Sequence, residues 1–163
     1  MNPPKRFYLL PTITAILSSF FLFMSFLAPL TETWMLEIST DIYSFLRNIC
    51  HQMPSRCLWY ANSNFGLCSH CFGIFIGFLS VSLLILKSPR VLRVQFRTTL
   101  GSSFLLFIPL IADVVIESWR HELSNHACRI FVGFLAGSGC LYFLLVTLFK
   151  LKQNTTKPQE VYQ

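Results

Sequence analysis

Cysteine and histidine are the side chains in this sequence whose spacing best supports chemistry. Cys68 and Cys71 form a Cys-x-x-Cys pair, and Cys50 and His51 precede it along the chain. Two cysteines at this spacing can ligate one metal ion, and Cys50 with His51 would complete the tetrahedral Cys₃His set of a zinc site. The same pair can serve as a redox dithiol when a helix N-terminus lowers the pKa of one thiol. These residues alone leave zinc binding and thiol–disulfide chemistry open.

A second group of polar residues is expected near these thiols. Asp113 and Glu117 lie at positions i and i+4, so they share one face of a helix. A carboxylate inside an apolar helix must face a polar interior and find a partner, because its burial in hydrocarbon costs several kcal/mol. For Asp113 the candidate partners are Arg129, Arg56 and a bound cation. Further residues that could act as partners or ligands at this site are Arg56, His70, Asn125, His126, Cys128 and Arg129. The pattern indicates either structural ion pairs or a polar ligand site.

The elements that position these residues are expected to be membrane helices. Hydrophobic residues make up 53% of the 163-residue chain and charged residues 12%, against roughly 45–50% and about 25% in soluble domains. A helix needs about 20 mostly apolar residues to cross a bilayer, and four segments qualify: 8–30, 65–86, 98–116 and 130–149. The sequence therefore predicts an all-α integral membrane protein in the lipid bilayer, with one four-span bundle over residues 1–150.

The basic residues predict the orientation of this bundle. They are concentrated at the start of the chain, between the second and third segments, and after the fourth. Because short basic loops stay in the cytoplasm, both termini are predicted to be cytoplasmic in a prokaryotic inner membrane, with residues 151–163 as a polar tail. The net charge of +6 is thus explained by topology and not by nucleic-acid binding. All histidines, and all cysteines except Cys140, then fall at the outer face.

Two further patterns predict how the bundle is packed and covered. Residues 34–49 have an apolar and a polar face, which is typical of a helix that lies in the headgroup layer or covers a site. Gly73 and Gly77, like Gly133 and Gly137, form a Gly-x-x-x-Gly motif. Small residues at this spacing let helix backbones approach closely in lipid. The second and fourth spans are therefore predicted to be in contact.

The order of these motifs resembles a family of small prokaryotic multi-span membrane proteins of unknown function. The resemblance covers about residues 45–140. The residues that carry it are Cys50-His51-Gln52, Pro54, Arg56, Cys68-x-x-Cys71-x-Gly73-x-x-x-Gly77, Asp113 and Asn125-x-x-x-Arg129-x-x-x-Gly133-x-x-x-Gly137. The family pattern has Arg where this chain has His70, and Cys57 and Cys128 lie outside it.

The resemblance implies a shared thiol site but no activity. Carried over by position, the site consists of Cys50, His51, Cys68 and Cys71. Three thiols cannot all pair within one chain, whereas a Cys₃His metal site uses all four residues. Zinc is therefore the expected cofactor, with a closed structural site and an open catalytic one both consistent with this ligand set.

Two other functions remain as alternatives. The architecture is similar to the quinone-dependent disulfide-bond formation protein B, which has four spans, cytoplasmic termini and a Cys-x-x-Cys at the outer start of span two. That enzyme has a second Cys pair in its second outer loop, where this chain has only Cys128. A thiol:disulfide oxidoreductase with quinone is the first alternative. Transport of a metal cation or proton past Asp113 and Glu117 is the second, and with so few spans it would require a homo-oligomer.

Overall fold

The computed structural model describes residues 8–32, 34–60, 62–88, 96–120 and 125–155. Within these residues, the helices are α1 (Leu9–Glu32), α2 (Leu36–Arg47), α3 (Ser69–Lys87), α4 (Phe96–Arg120) and α5 (His126–Thr155). Between α2 and α3 lie a 3₁₀ turn (Pro54–Arg56) and an antiparallel hairpin of β1 (Cys57–Tyr60) and β2 (Ser63–Cys68). The protein is mostly helical, as expected, and the hairpin is an addition that the sequence analysis did not predict.

Three helices are long and apolar enough to cross a membrane, judged over the described residues. They comprise Leu9–Glu32, Ser69–Lys87 and His126–Leu151, with mean hydropathy between 2.0 and 2.1. Their lengths of 24, 19 and 26 residues are close to the 20 or so that a bilayer requires. α4 coincides with the remaining predicted segment, residues 98–116.

The contact between α3 and α5 forms the centre of the bundle. A Cβ atom on Gly73 would lie 2.2 Å from the carbonyl oxygen of Ile130, and one on Gly133 would lie 2.3 Å from that of His70. The second glycine of each motif is equally close to the opposite backbone, at Gly77 and Gly137. Because no side chain fits at these distances, the two Gly-x-x-x-Gly motifs allow the backbones to touch.

α3 and α5 run parallel, since their contacts advance in the same direction along both helices. At the end away from the cysteines, a buried apolar cluster continues the contact and consists of Val81, Ile85, Leu141, Leu145, Val146 and Phe149. Lys87, the last residue of α3, and Lys150 of α5 lie toward this same end.

The second span begins later than the sequence predicts. Residues 65–68 belong to β2, so the helix begins at Ser69 and not at residue 65. β2 pairs with β1, and the turn between them includes Asn62 with φ 70°, a left-handed conformation that asparagine tolerates better than most residues. A short apolar run is compatible with either a strand or a helix, and here it forms the hairpin.

α2, the hairpin and the loop between them, described over residues 36–60 and 62–68, form a cap over one end of α1 and α3. The backbone N–H of Leu67 donates to Ser25 Oγ over 3.0 Å, and Ser39 Oγ donates to the Ala28 carbonyl over 2.9 Å. In the buried contact between cap and bundle, Ala28 of α1 packs with Ile42, Leu46 and Leu67 of the cap. α2 falls within the predicted amphipathic helix, residues 34–49.

The C-terminal end of the chain differs in part from the predicted polar tail. α5 continues to Thr155, so the first residues of the predicted tail, 151–163, are helical. Residues 156–163 lie outside the described part of the chain, as do His121 and Glu122 in the loop before α5.

Candidate metal centre

Three cysteines from three different parts of the chain meet where the cap joins α3. Cys50 follows α2, Cys68 ends β2, and Cys71 lies in the first turn of α3. Their Sγ atoms all lie within 4.8 Å of one another, and we refer to these three residues as the thiol cluster. Cys50 is buried and the other two are half-buried. The side chains around them are apolar and include Leu46, Phe72 and Phe75.

Hydrogen bonds within the thiol cluster favour a thiolate at Cys50. The thiols of Cys68 and Cys71 lower the pKa of Cys50 below its ordinary value of 9.0, because each bond stabilises the charged sulfur. The backbone N–H of Cys68 adds a further hydrogen bond to Cys50 Sγ over 3.2 Å. The side-chain bond to Cys50 raises the pKa of Cys68, whose proton takes part in it. A charged sulfur is the form that binds a metal ion.

Gln52 holds the Cys-His-Gln segment in place. Its Nε2 donates to the carbonyl oxygens of Tyr43 and Gly66, each over 2.9 Å, and so joins α2 to β2. Its φ of 47° is left-handed, which costs a residue other than glycine roughly 1–2 kcal/mol. In the sequence, Gln52 stands out only as part of the Cys-His-Gln motif, and a glutamine by itself does not indicate this positioning role.

His51 is placed differently from the three cysteines. Its side chain is exposed, and it is not among the residues whose ligand atoms lie within 4.8 Å of one another. The structure therefore brings together Cys50, Cys68 and Cys71 from the expected ligand set, with His51 next to them in sequence but directed outward.

The remaining cysteines lie outside the thiol cluster. Cys57 is fully buried and stands opposite Cys68 in the hairpin register. Burial raises the pKa of Cys57 to about 12, so its thiol is neutral at ordinary pH. Cys128 and Cys140 are exposed on α5, and none of the six cysteines forms a disulfide.

A charged cluster lies on the other side of the Cys-x-x-Cys motif, where α3 faces α4 and α5. Arg129 Nη2 donates to Glu117 Oε1 over 2.7 Å, and Arg56 Nη2 approaches the same oxygen at 3.0 Å. His70 Nε2 lies 2.8 Å from Asp113 Oδ2. The Arg129 side chain is fully buried, and only 7% of the Glu117 side chain is exposed. Both carboxylates therefore have partners, and we call these five residues the charged cluster.

Ser69 and His126 connect α3 to α5 beside the charged cluster. Ser69 Oγ donates to the Arg56 carbonyl over 3.0 Å and lies 2.8 Å from His126 Nδ1. Asn125 caps α5, because its Oδ1 accepts from the N–H of Ala127 over 3.2 Å. Sequence analysis missed Ser69, since a serine between two cysteines has no distinctive spacing of its own.

The region that contains both clusters identifies the family. Residues 50–143 match the family model described as "Predicted membrane protein (DUF2085)". The chain belongs to this family. The expected resemblance to a prokaryotic membrane protein family of unknown function is thereby confirmed. No solved structure matches the chain.

Relatives of this DUF2085 member occur in archaea. Uncharacterized protein MJ1492 of Methanocaldococcus jannaschii is 28% identical over 153 residues, which is 90% of this chain and 96% of that protein. An uncharacterized protein of Methanothermobacter thermautotrophicus is 31% identical over 93 residues, or 57% of this chain and 81% of its own length.

The two clusters of this DUF2085 protein differ in what they can do chemically. The thiol cluster offers three soft sulfur ligands in apolar surroundings, which suits a metal such as Zn²⁺. The charged cluster pairs each carboxylate with a cation or an imidazole, which suits the joining of helices.

Proposed function

We propose that this membrane protein binds one zinc ion at the thiol cluster. The observation that supports the proposal is the proximity of the three Sγ atoms, all within 4.8 Å of one another. Thiolates at about 2.3 Å from a tetrahedral zinc ion lie about 3.8 Å apart. The sulfurs would need to approach one another by about 1 Å or less to share an ion, which rotation of their side chains can supply.

His51 is the proposed fourth ligand. It follows Cys50 directly and its imidazole is exposed, so rotation about its side-chain bonds would bring a ring nitrogen toward the ion. The resulting Cys₃His set is typical of closed structural sites. If water takes the fourth position instead, the ion is open to substrate and can act as a Lewis acid.

A metal ion at this place would fasten the cap to the bundle. Its ligands would come from the loop after α2, from the end of β2 and from the first turn of α3. Because such a site does not exist in the unfolded chain, the free energy of metal binding would contribute to the stability of the fold.

We also propose that α4 completes a four-span bundle, with the thiol cluster at the outer face. α4 has 25 residues, and apolar side chains such as Ile108, Ile111 and Val115 are exposed on it, as lipid contact requires. Lys87 and Lys150 lie toward the end opposite the thiol cluster. Because basic residues mark the cytoplasmic side, both termini would be cytoplasmic and α2 would lie at the outer membrane surface.

The zinc proposal is tested by metal content and thiol reactivity together. We expect about one zinc per chain in protein purified in mild detergent, as measured by inductively coupled plasma mass spectrometry. Cys68→Ser should lose the metal, whereas Cys140→Ser, a substitution at an exposed cysteine outside the thiol cluster, should keep it. The thiols of Cys50, Cys68 and Cys71 should react with Ellman's reagent only after chelation.

The contrary result would favour the second candidate, a thiol:disulfide oxidoreductase. Its supporting observation is the proximity of the three thiols, together with the hydrogen bonds that lower the pKa of Cys50, since a stabilised thiolate is the reactive form of cysteine. Absence of metal, together with cysteines that react only after reduction, would contradict zinc binding. A disulfide from Cys128 to Cys68 or Cys71, or a bound quinone, would then identify the oxidoreductase.

A further inference from the structure

A polar cavity opens in the cap, separate from the thiol cluster. Its volume is about 420 Å³, which falls within the roughly 300–1,000 Å³ of small-molecule sites. One face of α2, the end of α1, the loop after Cys50 and β2 enclose it. None of the three clustered cysteines lines this cavity.

Two opposite charges line the cavity without neutralising each other. Glu32 contributes a carboxylate from the last residue of α1, and Arg47 contributes a guanidinium from the last residue of α2. Both side chains are exposed. Within the described ranges, neither residue forms an ion pair. Their charged groups are therefore available to a ligand that enters between them.

The wall between these charges is held rigidly. The Tyr43 hydroxyl donates to the Asn64 carbonyl oxygen, and the strained residue Gln52 bridges α2 and β2 from the same wall. Strained residues cluster at ligand sites, where the surrounding structure maintains them. A wall formed in advance also reduces the entropy that binding must remove.

The negative charge of Glu32 affects Tyr43, which forms part of this wall. Burial, together with the negative charge of Glu32, raises the pKa of Tyr43 to about 12. Glu32 and Tyr43 both line the cavity, so the carboxylate and the phenol face the same space.

We propose that this cavity binds a small zwitterion, with its anionic group at Arg47 and its ammonium group at Glu32. A guanidinium binds carboxylate or phosphate through paired hydrogen bonds, and a carboxylate pairs with ammonium. Free amino acids and a phosphoethanolamine headgroup share this chemistry. The ligand would contact a different set of side chains from the metal, because none of the three thiols lines the cavity.

The binding test uses glycine and glycerophosphoethanolamine as probes on the detergent-solubilised full chain. At least one of them should raise the Tm in a concentration-dependent way, since a ligand that binds only the folded state stabilises it. Ethanolamine and glycerol 3-phosphate, which each carry one of the two charges, should produce a much smaller shift. Failure of both zwitterions to raise the Tm would overturn the proposal.

Substitutions then locate the binding. Arg47→Gln and Glu32→Gln should each weaken binding at least tenfold by isothermal titration calorimetry, because each removes one charge partner, a tenfold loss corresponding to about 1.4 kcal/mol. Glu37→Gln is the matched control, since Glu37 is an exposed carboxylate of α2 that does not line the cavity. Unchanged affinity in Arg47→Gln and Glu32→Gln would also overturn the proposal.

Nanodiscs of defined lipid separate the two sources of zwitterion. If a lipid headgroup occupies the cavity, glycerophosphoethanolamine should bind in phosphatidylglycerol discs and be blocked in phosphatidylethanolamine discs. Equal binding in both discs would assign the cavity to a soluble zwitterion. Both outcomes support zwitterion binding and differ only in the source.

Discussion

The segment from Cys68 to Cys71 has a charged side, which contains the charged cluster, and a thiol side, which contains the thiol cluster. The polar groups of the two sides find their partners in different ways. On the charged side, the carboxylates of Asp113 and Glu117 each have a basic partner within 3.0 Å. On the thiol side, the described interactions of the sulfurs come from one another and from backbone N–H groups, in apolar surroundings. The charged cluster therefore has partners for both of its carboxylates within the protein, whereas the thiol cluster would gain most from an added cation.

The largest effect is expected on the charged side, from Arg129→Met. Arg129 is fully buried and bonded to the nearly buried Glu117, so its removal leaves a carboxylate with less compensation. Breaking a buried pair in this way costs about 3–5 kcal/mol. Denaturant unfolding of the detergent-solubilised protein should show this loss of stability.

Two further variants distinguish the buried charge from loss of packing. Lys87→Met, at an exposed lysine that ends α3, should change stability by at most about 0.5 kcal/mol. The double variant Arg129→Met/Glu117→Gln should be less destabilised than Arg129→Met, because it no longer buries an uncompensated carboxylate. A double variant as unstable as the sum of its single substitutions would refute the ion-pair explanation.

An intermediate effect is expected from Gly133→Ala, which tests whether the two sides are independent. The new Cβ would lie 2.3 Å from the His70 carbonyl oxygen, so α3 and α5 must move apart at a cost of about 1–3 kcal/mol. The thiols pack with side chains of α1, α2 and α3, so zinc content per folded chain should stay unchanged. Ser80→Ala, at an exposed residue of α3, is the control for stability. Loss of zinc in Gly133→Ala would show that the thiol cluster depends on the α3–α5 contact.

The long helices were the most predictable part of the fold. Length and apolar composition suffice to predict α1, α3 and α5, and the paired glycine motifs indicate that α3 meets α5. The hairpin was not predictable in the same way, because residues 65–68 satisfy the apolar requirement of a helix and of a strand equally. Pairing with β1 decides between them, and the apolar run by itself does not indicate that it has a strand partner.

The proximity of the three cysteines was predictable, whereas the outward position of His51 and the partners of the carboxylates were not. Cysteine spacing indicates that Cys50, Cys68 and Cys71 belong together. The acidic partners differ from expectation, because His70 pairs with Asp113 while Arg129 and Arg56 both bond to Glu117. Asp113 and Glu117 lie one turn apart on α4, and this difference in position decides which basic residue each carboxylate contacts. The residue types alone do not indicate that position.

The smallest effect is expected on the thiol side, at Gln52. Gln52→Ala and Gln52→Gly both lose the bonds to Tyr43 and Gly66, but only glycine adopts the φ of 47° without strain. Gln52→Ala should therefore be less stable than Gln52→Gly by about 1 kcal/mol. The same pair of substitutions at Asn62, where φ is 70°, provides the backbone control in the hairpin turn.

Zinc affinity distinguishes the role of Gln52 from that of Asn62, which stability measurements alone would not do. If Gln52 orients Cys50 toward the other sulfurs, then Gln52→Ala should weaken zinc binding, measured by competition with a chromophoric chelator. Asn62→Ala should leave it unchanged, since Asn62 lies in the turn between β1 and β2, whereas Gln52 bonds to both α2 and β2. Equal zinc affinity in these two variants would mean that the metal ion itself brings the three thiols together. The geometry of the thiol side would then depend on its ligand, whereas the geometry of the charged side is set by the fold.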